Sequence, residues 1–352
     1  MVKISATYVS HPLYFIRPAG TSRGVLRQKA CWYILLRDHQ KKVGLGEVSF
    51  IPGLSVEDPG EIELQIDHVC KLINRGELDP AADLPALPGL QFALETALTD
   101  LNQGGTRVLF PSDFTRGKAG ISTNGLIWMG DRSFMKQQIS EKLALGFRVL
   151  KLKVGALDLA EELSILQQIR AQHPPGKLEI RLDANGAWTA EEALDLLNRF
   201  ADLGIHSVEQ PIASGQVEAM RDLCERSPIP LALDEELIGI SSMDQRARLL
   251  EQTRPAYIIL KPGLLGGFRM AGEWISLAEE LNIGWWITSA LESAVGLNAI
   301  AQWAASLEVR IPQGLGLGTL YANNLPSPLV MKQDRLWHLP EKPWELQQII
   351  KR

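Results

Sequence analysis

The runs FRVLKLKVG, residues 147–155, and RLDANGAW, residues 181–188, decide how this chain is read. Each is a short apolar segment that stops at a glycine or Asn-Gly turn and carries charges at every second position. Side chains on a strand alternate faces, so Lys151 and Lys153 share one face, as do Arg181, Asp183 and Asn185. Working outward, comparable runs recur at Ile121–Met129, Phe147–Val154, Leu178–Asp183, Ser207–Gln210, Pro230–Asp234, Tyr257–Lys261, Gly284–Ser289 and Ile311–Leu315. Segments of helical period separate them at Asp131–Leu145, Leu159–Gln172, Ala190–Leu203 and Phe268–Leu281. Eight strands with short helical crossovers predict an α/β fold of repeated βα units, a closed parallel barrel, although an open doubly wound sheet shares the same local alternation.

The N-terminal part reads differently. Alternating strands at Ile4–Tyr8, Lys29–Leu36 and Val43–Val48 precede helices at Pro59–Ile73 and Leu90–Asn102, which predicts an α+β unit over residues 1–115. The tail, 325–352, is too short to fold alone and is expected to pack back on that unit, leaving 116–324 as the barrel.

The chain has 352 residues, 45% of them hydrophobic and 22% charged, enough for one large core with a smaller companion. Its net charge of −5, with Lys and Arg dispersed, offers no footprint for nucleic acid or anionic lipid. No apolar run predicts an export signal or a membrane span. The cysteines, Cys31, Cys70 and Cys224, lack metal-site spacing and fit a reducing cytoplasm.

Charges gather at the carboxyl ends of consecutive strands, where barrel enzymes build their sites: Lys151 and Lys153, then Asp183 with Asn185, Glu209, Asp234, Lys261, and finally Ser289. One such residue is better explained as a solvated strand end. Six charges at corresponding ends of five strands are not, because a barrel interior tolerates them only when paired. Asp183, Glu209 and Asp234 supply hard oxygen ligands without His or Cys, which suits Mg²⁺, with Mn²⁺ as a substitute and Zn²⁺ disfavoured. In LALDEEL, Asp234 and Glu235 are expected on opposite faces, and Asp234 is the expected ligand. Lys151 beside Lys153 is expected to lower the pKa of Lys153 toward that of a base, with Lys261 as the cation across the barrel. A carboxylate held by the metal would then lose its α-proton more readily. The glycine runs Gly263–Gly267 and Gly314–Gly318 are read as ordinary turns rather than phosphate cradles. The six histidines fall away from strand ends, and Trp285 and Trp286 are read as packing residues.

Taken together, KLKVG, RLDANGAW, VEQPI, LALDEEL, ILKPGLLGG and TSALESAVGL resemble the muconate-lactonizing branch of the enolase superfamily, over essentially the whole chain. The resemblance implies an N-terminal α+β capping domain on a modified (β/α)₇β TIM barrel, and a lysine base working with Mg²⁺, in a superfamily whose sites use a Lys or His base with that metal. The segments TSRGVL, GLGEVSFIPGLS and GLGLGTLYANNLPSPL are similar to its dehydratases of menaquinone biosynthesis. These imply syn dehydration of 2-succinyl-6-hydroxy-2,4-cyclohexadiene-1-carboxylate. By the same resemblance, Arg181 and Asn185 support the site, Ser289, Leu291 and Ser293 line the pocket for the succinyl arm, and Ser22, Arg23 and Gly24 belong to a capping loop. Gly316, Leu317 and Gly318 replace the Asp-x-Asp of dipeptide epimerases, and Ser289 replaces the His base of mandelate-racemase-like members. N-succinylamino acid racemase and muconate cycloisomerase chemistry stay open, and a non-catalytic barrel is the remote alternative.

Overall fold

A computed structural model of the chain describes residues 4–21, 24–82, 86–155, 157–316 and 320–350. Ser22, Arg23, Leu317 and Gly318 lie outside the described residues.

The first unit opens with β1 (Ser5–Ser10), β2 (Leu13–Thr21), β3 (Gly24–Lys29), β4 (Trp32–Arg37) and β5 (Val43–Val48), then α1 (Ile62–Arg75) and α2 (Pro88–Asn102). β1, β4 and β5 form an antiparallel sheet, with β4 central and wholly apolar in WYILL. One sheet face meets α1 and α2 around Ile34, Leu36, Ile66 and Leu94. Gly44 and Gly46 explain how closely α2 approaches β5: a Cβ at either would overlap the carbonyl oxygen of Ala97 or Ala93. β2 and β3 pair as a separate antiparallel ribbon with a register shift between Tyr14 and Ala19. The expected single strand Lys29–Leu36 is thus two: β3 ends at Lys29 and β4 begins at Trp32.

After the short β6 (Ile121–Ser122) come the parallel strands β7 (Gly125–Ile127), β8 (Val149–Lys153), β9 (Glu179–Asp183), β10 (Ser207–Glu209), β11 (Leu231–Leu233), β12 (Tyr257–Leu260) and β13 (Gly284–Ile287), in that spatial order. Around them run α3 (Arg132–Ala144), α4 (Leu159–Gln172), α5 (Ala190–Phe200), α6 (Val217–Arg226), α7 (Met243–Thr253), α8 (Pro262–Leu265), α9 (Phe268–Glu280) and α10 (Ala294–Ser306). The main core lies between this sheet and its helices, where Ile127, Leu150, Leu182, Leu233, Ile258 and Trp274 are buried. The eighth strand is reduced to a seam. Gln313 bridges to Thr123 and Gly314 to Thr288, which joins the first strand to the seventh and closes the ring. This is a modified TIM barrel bearing an N-terminal α+β unit.

The tail divides its contacts. β14 (Leu329–Lys332) and β15 (Arg335–His338) form a hairpin that pairs with β6 rather than with strands of the first unit. Beyond it, Ile349 packs with Leu13, Cys31, Tyr33 and Leu45 of the first unit. Among the described residues, no helix is long and apolar enough to cross a membrane.

Candidate active site

At the carboxyl ends of the barrel strands lies a cavity of about 270 Å³, lined by Lys151, Lys153, Asp183, Asn185 and Lys261, among others. Register explains the convergence. Lys153 is paired with Asp183 and Asp183 with Glu209 across adjacent parallel strands, so alternation aims all three to one side. Lys261 follows β12 on the far wall, four strands from β8.

Lys151 Nζ lies 2.9 Å from Asp183 Oδ2 and 2.6 Å from Glu209 Oε1. Lys153 Nζ donates to Asp183 Oδ2 at 3.0 Å and to Asn185 Oδ1, while Lys261 Nζ donates to Asp234 Oδ2. Asn185, at φ 47°, passes the chain onward: its backbone N–H donates to Asp183 Oδ1 at 3.0 Å and its Nδ2 to Glu235 Oε1 at 3.0 Å. Gln210 Oε1 accepts from the Asp234 backbone at 3.1 Å and so locks the end of β11 to β10.

Burial works against every one of these charges, and the balance between burial and neighbouring charges sets each outcome. Burial pulls Lys151 down, but Asp183, Glu209 and Asp234 outweigh it and hold the ammonium above its ordinary pKa. Burial raises Asp183, yet Lys151 and Lys153 bring it below the usual carboxylate range. Glu209 goes the other way: burial first, then its neighbours Asp183 and Asp234, push it well up despite Lys151. Lys261 is raised, since Asp234, Glu235 and Glu209 overcome its burial. The site therefore holds more carboxylate than its lysines neutralise comfortably.

Among the described residues, no three His, Cys, Asp or Glu side chains stand close enough to hold a metal ion as they are. Lys151 bridges two of the carboxylates and Lys261 takes the third. Two observations nonetheless fit a hard divalent cation. The donors are three carboxylates on consecutive strand ends, and Glu209 Oε2 is buried without a hydrogen-bond partner.

Several expected residues sit elsewhere. Arg181, expected to support the site, forms part of the barrel floor. Its guanidinium stacks over Trp286 at 4.3 Å, with Nε donating to Glu179 at 2.7 Å and Nη1 to the Pro312 carbonyl at 3.0 Å. Two residues down the strand from Asp183, it shares that residue's face but not its depth. Ser289 and Leu291 line the cavity, but Ser293 does not. Its hydroxyl donates to Glu47 Oε2 at 2.6 Å, and its backbone N–H donates to Glu47 Oε1 at 2.8 Å. Glu47 of β5 thus caps α10 from the first unit, its Oε2 also taking the Gly296 N–H at 2.8 Å. Gly24 is exposed on β3, while Leu26 reaches the cavity. Glu235, expected on the opposite face from Asp234, is buried and bonded to Asn185, because β11 ends at Leu233 and a 3₁₀ turn over Glu235–Leu237 removes the alternation. At the Gly263–Gly267 turn, Glu95 accepts from the Phe268 and Arg269 backbones and fills the helix end a phosphate would need.

Sequence reading missed part of the wall: Asn124, Leu126 and Trp128 from β7 and its flanks, and Ile51 and Leu54 after β5. Alternation of 124, 126 and 128 was the available signal. It also missed Glu292, a buried carboxylate that takes the Ala290 N–H at 2.6 Å and the Ser49 hydroxyl at 2.8 Å, fixing the loop that bears Leu291.

Comparison with known proteins agrees with this fold. The family described as Enolase C-terminal domain-like matches residues 135–343. The chain is 47% identical to an o-succinylbenzoate synthase of Desulfotalea psychrophila, over 94% of this chain and 98% of that protein. The crystal structure of MenC from the same organism superposes with a TM-score of 0.85 at 43% identity, covering 95% of this chain and 99% of that one. A dipeptide epimerase from Cytophaga hutchinsonii, complexed with Mg and dipeptide D-Ala-L-Val, shares the fold at a TM-score of 0.82 and 20% identity, covering 99% of each chain. The chain belongs to the enolase superfamily, among its o-succinylbenzoate synthases.

Proposed function

We propose that this chain dehydrates 2-succinyl-6-hydroxy-2,4-cyclohexadiene-1-carboxylate to o-succinylbenzoate, as a carbon–oxygen lyase of menaquinone biosynthesis. The observation that carries the reading is the facing pair of lysines, Lys153 on β8 and Lys261 beyond β12, each anchored to a buried carboxylate at the wall of one cavity. The relative from Desulfotalea psychrophila, similar over nearly all of both chains, supports the substrate.

Lys153 takes the proton from the ring carbon that bears the carboxylate. Asp183 and Asn185 fix its Nζ, so the base meets the substrate in one orientation. Lys261, held by Asp234, places a positive charge on the opposite side, where negative charge develops on the substrate carboxylate. Mg²⁺ held by Asp183, Glu209 and Asp234 would supply further stabilisation of that charge. Apolar wall residues such as Ile51 and Leu54 help exclude water. As the C1–H and C6–O bonds break, a C1–C6 double bond completes the aromatic ring, and hydroxyl plus proton leave as water. The Mg-complexed epimerase supports the metal assignment, and the free Cys31, Cys70 and Cys224 support a reducing, cytoplasmic setting.

The test is to follow the loss of diene absorbance with Mg²⁺ and then with excess EDTA. Rapid, metal-dependent conversion to o-succinylbenzoate is expected. A folded, Mg²⁺-loaded protein that leaves the diene unchanged but exchanges the α-proton of N-succinylamino acids with solvent deuterium would replace this reading with a racemase.

A further inference from the structure

Asn124 lies just before β7, on the first barrel strand's part of the wall. Its backbone N–H donates to the Gln313 carbonyl at 2.9 Å across the seam, and Gly314 in turn pairs with Thr288, the residue beside the end of β12 in register. Asn124, Thr288 and Lys261 all line the cavity. Residues 124, 126 and 128 share the inward face, and of the three only Asn124 has a carboxamide. The residue is 4% exposed, and its Oδ1 is buried with no hydrogen-bond partner in the protein. A buried acceptor left unpaired costs stability, so such a group beside a ligand cavity points to a donor that the ligand brings.

The dehydration substrate offers few donors. Its two carboxylates and its ketone only accept, and its single O–H is the ring hydroxyl at C6 that departs during the reaction. We propose that the Asn124 carboxamide oxygen accepts the hydrogen bond of this leaving hydroxyl. The inference rests on the dehydratase reading and adds to it the residue that holds the leaving group. Accepting from the O–H turns the hydroxyl hydrogen toward the wall and leaves an oxygen lone pair free for the proton that Lys153 took from C1 and now returns. The C6–O bond then breaks, its electron pair goes with the oxygen, and water forms. The aromatic product has no hydroxyl and no donor for Asn124, so the contact favours substrate over product.

The experiment compares wild type with Asn124→Leu, which keeps bulk but removes the acceptor, in the Mg²⁺-loaded full chain. Initial rates of diene loss give kcat/KM, and competitive inhibition gives the affinity for o-succinylbenzoate. Expected is a fall in kcat/KM of about 10- to 100-fold, the effect of removing one partner of a buried hydrogen bond, with product affinity nearly unchanged. Should Asn124→Leu fail to fold, Asn124→Ala is measured in the same way with the same expectation. A variant whose kcat/KM and product affinity fall in equal measure, or whose kcat/KM does not fall, overturns the assignment of Asn124 while the dehydratase reading stands. A wild-type chain that leaves the diene untouched overturns both.

Discussion

The barrel's two ends handle buried charge in opposite ways. At the carboxyl end, Lys151, Lys153 and Lys261 are paired with carboxylates but still reach a cavity. At the floor, Arg181 is enclosed by the Trp286 ring, Glu179 and the Pro312 carbonyl, while Tyr257 and His206 stack beside it with ring centroids 5.0 Å apart. Asp183 and Arg181 stand two residues apart on one face of β9 yet serve different ends. A charge whose partners leave it beside open space is available for chemistry, whereas one sealed among ring and carbonyl holds the barrel together.

Substitutions at the two ends separate these roles. Lys153→Ala has the largest expected effect, a loss of turnover of at least about 10²- to 10⁴-fold in the diene assay, in a protein that still folds and binds metal. Retained turnover would remove Lys153 from the base role. Arg181→Met is expected to lower stability by about 2–4 kcal/mol, from lost charged hydrogen bonds and the ring contact, read as a shift in urea midpoint. Its kcat per folded molecule should stay near wild type, and a collapse of kcat without loss of stability would erase the distinction between the two ends. Gly46→Ala touches neither end. The added methyl meets the Ala93 carbonyl, so a cost of about 1–3 kcal/mol is expected with the active-site chemistry intact. Glu179→Gln is the mildest: its carboxylate is partly exposed, so weakening the Arg181 pair should cost under about 1 kcal/mol. A larger loss would mean that the floor depends on its charge pair more than on its stack.

The charged strand ends were legible because alternation repeats from strand to strand and few other folds place six charges so regularly. Periodicity gives the face of a residue and not its depth, which is why Arg181 was grouped with Asp183. Alternation also stops where a strand stops, and the 3₁₀ turn after Leu233 brought Glu235 into contact with Asn185. Ser293 could not be placed because its partner Glu47 is 246 residues away in sequence. The β2 strand, LYFIRPAGT, escaped notice since Pro18 and Gly20 interrupt its pattern, and a register shift between Tyr14 and Ala19 absorbs the irregularity.

The seam at Gln313 and Gly314 gives the barrel a clasp. Seven strands are laced continuously, but the ring shuts through isolated bridges, reinforced by the Gln313 side chain, whose Oε1 takes the Ile287 N–H at 2.7 Å and whose Nε2 donates to the Ile311 carbonyl at 2.7 Å. A closed ring with one weak joint opens there first. The amides of Asn124, Gln313 and Gly314 should therefore exchange with solvent ahead of those in β9 and β12, and closure of this joint, which joins the first barrel strand to the last, belongs at the end of folding.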